Sequence, residues 1–143
     1  MTLYENGRRF RVAIRCCPPM GNALPTVQVE MVGAIGRVVS VSGLVDTGAL
    51  GTLLDFATAK QLGIDEPALA PVGTGTARTA TDERVTYYMH VVWVWIRDGS
   101  GEAIKFPLRA AFADRLKRNL FGRDWLNHLC LAVDRQAVHF LRD

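Results

Sequence analysis

The segment 84–96, RVTYYMHVVWVWI, constrains the fold more than any other part of this 143-residue chain. It is a long run of β-branched and aromatic side chains, which favour extended strands over helices. Shorter runs with alternating apolar and polar residues, bounded by proline or glycine, lie at 8–17, 26–32 and 36–46. The pattern therefore predicts a mostly β protein whose strands pair through hairpins.

Two hairpins stand out in the second half of the chain. The segments VGTGTARTA (72–80) and 84–96 flank a short polar tip, TDE at 81–83. The segment CLAVDRQAVHFL (130–141) predicts a closing hairpin that turns around its polar centre. We expect the first hairpin to be long and to project a polar tip.

Short helices are predicted at only two places. In DFATAKQLG (55–63), Asp55 has the side chain of a helix N-cap and Gly63 fits the position just after the helix end. RDWLNHL (123–129) also suits a short helix. The fold class predicted is thus mostly β with one or two short helices.

Composition excludes several classes of protein. With 49% apolar and 22% charged residues, the chain resembles an ordinary globular protein, and we expect one domain over residues 1–143. The net charge of +3 is small, and the basic segment RLKRN (115–119) lacks aromatic neighbours, so no nucleic-acid partner is predicted. No run is apolar enough to span a membrane or to form a secretory signal, so we expect no membrane partner and a cytoplasmic location.

Residue types that can bind metals are few in this sequence and scattered along it. The three cysteines and three histidines show none of the spacings that zinc or redox sites require. The segment GTGTAR (73–78) lacks the third glycine of a dinucleotide-binding loop. No cofactor and no metal site are therefore predicted.

Asp46 is the residue that needs a chemical explanation. It lies within the apolar run GLVDTGALGTLL (43–54), where an unpaired carboxylate is costly to bury. A strand that ends in Asp-Thr-Gly, followed by a small residue and a helix, resembles the active-site segment of the aspartic proteases. A second segment, NLFGRDWL (119–126), resembles the hydrophobic-hydrophobic-Gly-Arg segment and short helix of the retropepsin group.

The resemblance covers roughly residues 26–141 and is to the single-domain, retroviral-type aspartic proteases and their bacterial relatives. It implies a closed-barrel-like acid protease fold in which the hairpin around 80–83 forms a flap. It also implies an aspartic endopeptidase acting on peptide or protein substrates. Such an enzyme needs two aspartates that share a proton, and this chain has a single Asp-Thr-Gly. A homodimer with twofold symmetry would supply the second one.

The resemblance also implies roles for individual residues. The catalytic segment comprises Asp46, Thr47 and Gly48. The residues implied in substrate binding are Ala49 and Leu50, the flap residues Thr79, Ala80 and Thr81, and Phe121. The residues implied in supporting the loop from beneath are Leu120, Gly122 and Arg123, and Phe121 is expected to pack there as well.

One departure from the viral enzymes keeps a second function open. Where those enzymes commonly have an aspartate that pairs with the arginine and contacts the substrate backbone, this chain has Leu50. Arg123 would then pair with Asp124 or Asp55. The alternative to an active protease is a dimeric retropepsin-fold module that binds peptides, or acts as an adaptor, with weak or no catalysis.

Overall fold

The computed structural model describes residues 4–5, 8–9, 12–16, 25–78, 82–97, 103–133 and 138–142. Strands dominate these residues, as the sequence predicts. The strands are β1 (Tyr4–Glu5), β2 (Arg8–Arg9), β3 (Val12–Cys16), β4 (Thr26–Val32), β5 (Val38–Val45), β6 (Leu53–Asp55), β7 (Gly73–Arg78), β8 (Arg84–Arg97), β9 (Ala103–Ala113), β10 (Leu120–Phe121), β11 (Cys130–Val133) and β12 (Val138–Arg142). The helices are α1 (Phe56–Gln61) and a 3₁₀ helix (Arg123–Asn127).

The main sheet closes on itself. Its seven strands follow the order β4-β5-β10-β6-β9-β8-β7, and β4 also pairs with β8. The strands from β4 through to β8 therefore form a ring, and β7 extends from β8 outside it. The predicted closed-barrel-like arrangement is confirmed, and it leaves the β7–β8 hairpin free to project from the ring.

The register of the ring directs alternate side chains into one core. On β4 the buried residues are Val27, Val29 and Met31, and on β8 they include Val92 and Val94. Met31 lies opposite Val94 where β4 pairs with β8. The pairing that closes the ring therefore also brings the buried side chains of β4 next to those of β8. Full burial of such a side chain contributes roughly 1.5–3 kcal/mol each.

Helix α1 begins where the sequence predicts. The Asp55 carboxylate accepts a hydrogen bond from the Ala57 backbone N–H at 3.0 Å and another from the Leu116 N–H at 2.8 Å. After the helix, Gly63 adopts a φ of +83°, which a residue with a side chain rarely does. In the part of the chain that the structure describes, no helix is long and apolar enough to cross a membrane.

The terminal strands form a separate three-stranded sheet in the order β11-β12-β3. The predicted closing hairpin is confirmed by the antiparallel pairing of β11 with β12, although its turn lies outside the described residues. The strand predicted at 8–17 is present as two strands, β2 and β3, and β3 pairs with β12. Both edges of β12 are thus occupied within one chain.

Candidate active site

The two segments that resemble an aspartic protease lie side by side. Strand β5 pairs in parallel with β10, with Leu44 opposite Leu120 and Val45 opposite Phe121. Just beyond this pairing, the Asp46 backbone N–H donates to the Phe121 carbonyl at 2.9 Å. The fold therefore brings Asp46 next to the Leu120–Phe121–Gly122 segment, although some 70 residues of sequence separate the two.

Asp46 begins a tight turn that orients its own carboxylate. The Gly48 N–H donates to Asp46 Oδ1 at 2.9 Å, and the Ala49 N–H donates to the Asp46 carbonyl at 3.1 Å. No group among the described residues donates a hydrogen bond to the other carboxylate oxygen, Oδ2. Asp46 is half-buried while Thr47 and Gly48 are exposed, so the carboxylate is oriented from the protein side and open on the other.

Gly48 and Gly122 each occupy a position that a side chain would disturb. A Cβ at Gly48 would lie 3.1 Å from Asp46 Oδ1. A Cβ at Gly122 would collide with the Gly51 carbonyl and lie 2.9 Å from the Ala49 carbonyl oxygen. Glycine at 122 thus allows the β10 segment to pack directly against the backbone of the 46–52 loop.

The 3₁₀ helix holds the middle of the loop by a backbone bond. The Arg123 N–H donates to the Ala49 carbonyl at 2.9 Å. This contact supports the structural role predicted for Arg123, but through its backbone rather than its side chain. Among the described residues, no carboxylate lies within 4.0 Å of the Arg123 guanidinium, so pairing with Asp124 or Asp55 was a wrong expectation. Both of those carboxylates accept hydrogen bonds from other groups.

A buried network that the sequence did not predict holds the far end of the loop. The Thr52 N–H donates to Asp124 Oδ2 at 3.0 Å, and the Thr52 hydroxyl donates to Asp124 Oδ1 at 2.9 Å. The Trp125 indole N–H donates in turn to the Thr52 hydroxyl oxygen at 2.9 Å. Thr52 is only 1% exposed, so the network fixes the loop from inside the protein. We call Thr52, Asp124 and Trp125 the Thr52 network.

Burial affects the ionisation of Asp124. Desolvation raises the pKa of its carboxyl above the usual value, and the hydrogen bonds from Thr52 partly oppose that rise. The sequence signal that could have revealed this residue is a threonine inside the apolar run 43–54, since a polar side chain there needs a buried partner.

The structure places Phe121 in the core. Its side chain is 2% exposed and stacks on Trp125 with ring centroids 4.6 Å apart. This fits the packing role predicted for Phe121 and corrects its prediction as a substrate contact, because a buried ring offers no surface to a peptide. Leu120, the neighbouring residue, is half-buried and lines the adjacent groove.

A groove of about 850 Å³ begins directly beyond the loop. One wall consists of loop residues that include Ala49 and Leu50, and Leu50 is 81% exposed. The opposite wall comes from the β7–β8 hairpin, whose strands pair from Gly73–Met89 to Arg78–Arg84. The predicted flap residues Thr79, Ala80 and Thr81 lie outside the described residues. The groove therefore runs from Gly48, which binds the Asp46 carboxylate, to the β7–β8 hairpin.

This fold and this loop are those of an acid protease of the retropepsin kind. The chain belongs to the aspartyl protease family, whose family model matches residues 27–125, more than half of its length. The match includes both the Asp46 turn and the Thr52 network.

A solved structure of a retropepsin-like protein agrees with this assignment of the fold. A retropepsin-like aspartic protease from Rickettsia conorii is similar at a TM-score of 0.61 and 17% identity, over 92% of this chain and 91% of that one. The retroviral protease-like domain of Ddi1 from Leishmania major is similar at a TM-score of 0.45 and 19% identity, over 82% and 95% of the two chains. A comparison with curated protein sequences finds no match.

Proposed function

We propose that this chain is an aspartic endopeptidase that works as a homodimer, with one Asp46 from each copy in a shared active site. The observation that carries the proposal is the geometry of Asp46. One carboxylate oxygen of the half-buried Asp46 is held by the Gly48 N–H at 2.9 Å, and Gly48 itself lines an 850 Å³ groove. Such a carboxylate is oriented for proton transfer and open to water and a peptide.

A second copy is needed because the chemistry divides between two carboxyl groups. One must be ionised to take a proton from water, and the other must be protonated to support the carbonyl oxygen. Two carboxylates a few ångströms apart share one proton and titrate as a unit. The chain has one Asp-Thr-Gly, and twofold symmetry places identical residues face to face.

The proposed reaction proceeds in two steps. The ionised Asp46 removes a proton from water while the water oxygen bonds to the peptide carbonyl carbon, and the protonated Asp46 of the other copy donates to the carbonyl oxygen. The tetrahedral intermediate then breaks its C–N bond. The Asp46 that took the water proton passes it to the leaving nitrogen, and the Asp46 that gave its proton to the carbonyl oxygen takes one back from a hydroxyl of the intermediate as the new carboxyl group forms. Both carboxyl groups return to their starting state, so no metal or cofactor is consumed.

The groove and the β7–β8 hairpin provide the substrate-binding elements of this proposal. An extended peptide would lie between Leu50 on one wall and the hairpin on the other, with Ala49 near the cleaved bond. Thr79, Ala80 and Thr81 at the hairpin tip would close over the peptide as a flap and exclude water. Thr47 would hydrogen-bond across the twofold axis and keep the two Asp46 loops together.

The test is hydrolysis of a denatured protein mixture at several pH values by the wild type and by Asp46→Asn. Asparagine keeps the oxygen that accepts the Gly48 N–H but cannot act as a base, so we expect folding to persist and hydrolysis to fall by at least about 10²–10⁴-fold. A statine-type inhibitor should block the wild type.

Two results would contradict the proposal. Activity above about a tenth of wild type in Asp46→Asn, free of contaminating protease, would place the chemistry at other residues. Tight binding of peptides by the wild type without any cleavage would instead favour the peptide-binding or adaptor function.

A further inference from the structure

The groove has an unbalanced positive charge. Its lining includes two arginines, Arg78 on β7 and Arg109 on β9, and Asp124 is the one carboxylate among the described lining residues. The Asp124 carboxylate accepts two hydrogen bonds from Thr52, within the loop wall. It is therefore engaged on the protein side and does not neutralise either arginine.

Arg78 has an exchangeable partner. Its guanidinium lies 2.9 Å from Asp82, and the two side chains are 63% and 79% exposed. Ion pairs this exposed hold weakly, because water screens both charges. A carboxylate brought in by a peptide could replace Asp82 at little cost.

Arg109 has no such partner in the described part of the chain, where no carboxylate lies within 4.0 Å of its guanidinium. Arg109 is an exposed residue of β9, paired with Val91 of β8, and it lines the groove. Leu50, which also lines the groove, is an exposed apolar side chain and supplies no charge. Among the residues that the structure describes, the Arg109 guanidinium therefore has no carboxylate partner.

Apolar surface lies next to these charges. Leu53, Met89 and Leu120 line the same groove and are each partly exposed. A peptide lying there would place an apolar side chain against these three residues and a neighbouring side chain near the arginines.

We infer that the groove selects peptides that carry an aspartate or glutamate side chain a few positions from the cleaved bond, with Arg109 as the principal specificity-determining residue. A guanidinium binds a carboxylate through two parallel charge-assisted hydrogen bonds. These bonds orient the carboxylate in addition to attracting its charge. This inference rests on the proposed function, since it names the substrates of that same site. Arg78 contributes less than Arg109 because a peptide must first displace Asp82.

The first test compares cleavage of synthetic peptides that have an apolar central pair and Glu, Gln or Lys at each outer position in turn. For the wild type we expect kcat/KM to be about tenfold higher with Glu than with Gln at one outer position, mainly through a lower KM. Arg109→Gln should remove that preference, and Arg109→Glu should shift it towards Lys. Arg37→Gln changes the charge equally at an exposed residue that does not line the groove, and it should keep the wild-type preference.

The second test measures binding of the same peptides to Asp46→Asn by fluorescence anisotropy, so that it does not depend on catalysis. Glu peptides should bind about tenfold more tightly than Gln peptides, and Arg109→Gln in that background should equalise them. Equal binding of Glu and Gln peptides by the Asp46→Asn protein, or an undiminished preference after Arg109→Gln, would overturn the inference. Selective binding by a wild type that cleaves nothing would uphold the inference and refute the proposed hydrolysis.

Discussion

The two ends of the 46–52 loop differ in almost every physical respect. At the first end, Asp46 is half-buried, and among the described residues its carboxylate is held by the Gly48 N–H alone, within the same turn. At the second end, Thr52 is 1% exposed and is bound to Asp124 and Trp125, more than 70 residues away in sequence. The comparison teaches that the Asp46 carboxylate, the proposed reactive group, can stay open to water because rigidity is supplied elsewhere in the loop.

This division also separates two kinds of mutational effect. A change confined to the Asp46 carboxylate should alter chemistry with little effect on folding, since in the described part of the chain this side chain makes a single, local hydrogen bond. A change in the Thr52 network or in Gly122 should affect folding and activity together, because those residues hold the loop backbone. Three substitutions, taken from the largest expected effect to the smallest, test that division.

Gly122→Ala should have the largest combined effect. A Cβ at 122 collides with the Gly51 carbonyl and approaches the Ala49 carbonyl oxygen to 2.9 Å, so the loop must move. We expect a loss of about 3 kcal/mol in the free energy of unfolding, measured by chemical denaturation. Because misplacing a reactive group by about 1 Å costs on the order of 10²-fold, kcat should fall to a similar extent.

Gly51→Ala is the matched control for that variant. It lies in the same loop, but its Cβ would meet the Asp124 carboxylate at 3.7 Å, an ordinary contact distance. We expect stability and activity close to wild type. Equal effects of the two substitutions would mean that the loop tolerates displacement and that Gly122 does not position it.

Thr52→Val should have an intermediate effect. The substitution keeps the shape of the side chain but removes the hydroxyl that joins Trp125 to Asp124, leaving a buried indole N–H without an acceptor. We expect a loss of about 1–3 kcal/mol in unfolding free energy. Activity should fall less than in Gly122→Ala, because the Thr52 backbone bond to Asp124 remains.

Thr74→Val serves as the control for the lost hydroxyl. Thr74 is exposed on β7 and does not line the groove. The unfolding free energy of the Thr74→Val protein should therefore stay within about 0.5 kcal/mol of wild type. If Thr52→Val were equally mild, the Thr52 network would contribute nothing to the second end of the loop, and the comparison would fail.

Asp124→Asn should show the smallest effect, and its dependence on pH is the informative part. Burial raises the pKa of Asp124 in the folded protein, so folding favours its protonated form. The contribution of this protonated carboxyl to the free energy of unfolding is complete below the unfolded pKa of about 3.9. It is lost as the pH rises through the pKa of the folded protein. The unfolding free energy of wild type relative to Asp124→Asn should therefore decrease as the pH rises through this window. A relative increase would show that the hydrogen bonds from Thr52 outweigh desolvation.

The sequence was informative wherever a feature depends on local pattern. The long strand β8, the N-cap at Asp55 and the proximity of Asp46 to the β10 segment all follow from residues a few positions apart or from a recognisable motif. In each case the backbone conformation or the strand pairing is set by the types of residue present.

The remaining features depend on how distant segments pack. The sequence could not show that Phe121 is buried on Trp125, because both burial and exposure are compatible with a residue beside the active-site loop. It wrongly indicated Asp124 or Asp55 as the partner of Arg123, whose backbone rather than its side chain binds the loop. It did not reveal that Asp124 accepts from Thr52, since that contact exists only once the 3₁₀ helix packs beneath the loop.

The central claim is that each active site needs two Asp46 side chains, one from each of two copies of the chain. The most direct test mixes wild type with Asp46→Asn at constant total protein, lets the subunits exchange, and measures peptide hydrolysis against the wild-type fraction. If only wild-type pairs are active, random pairing predicts that activity follows the square of that fraction, so an equal mixture retains about one quarter of full activity. Activity proportional to the wild-type fraction, about one half in the equal mixture, would show that one Asp46 suffices and would contradict the claim.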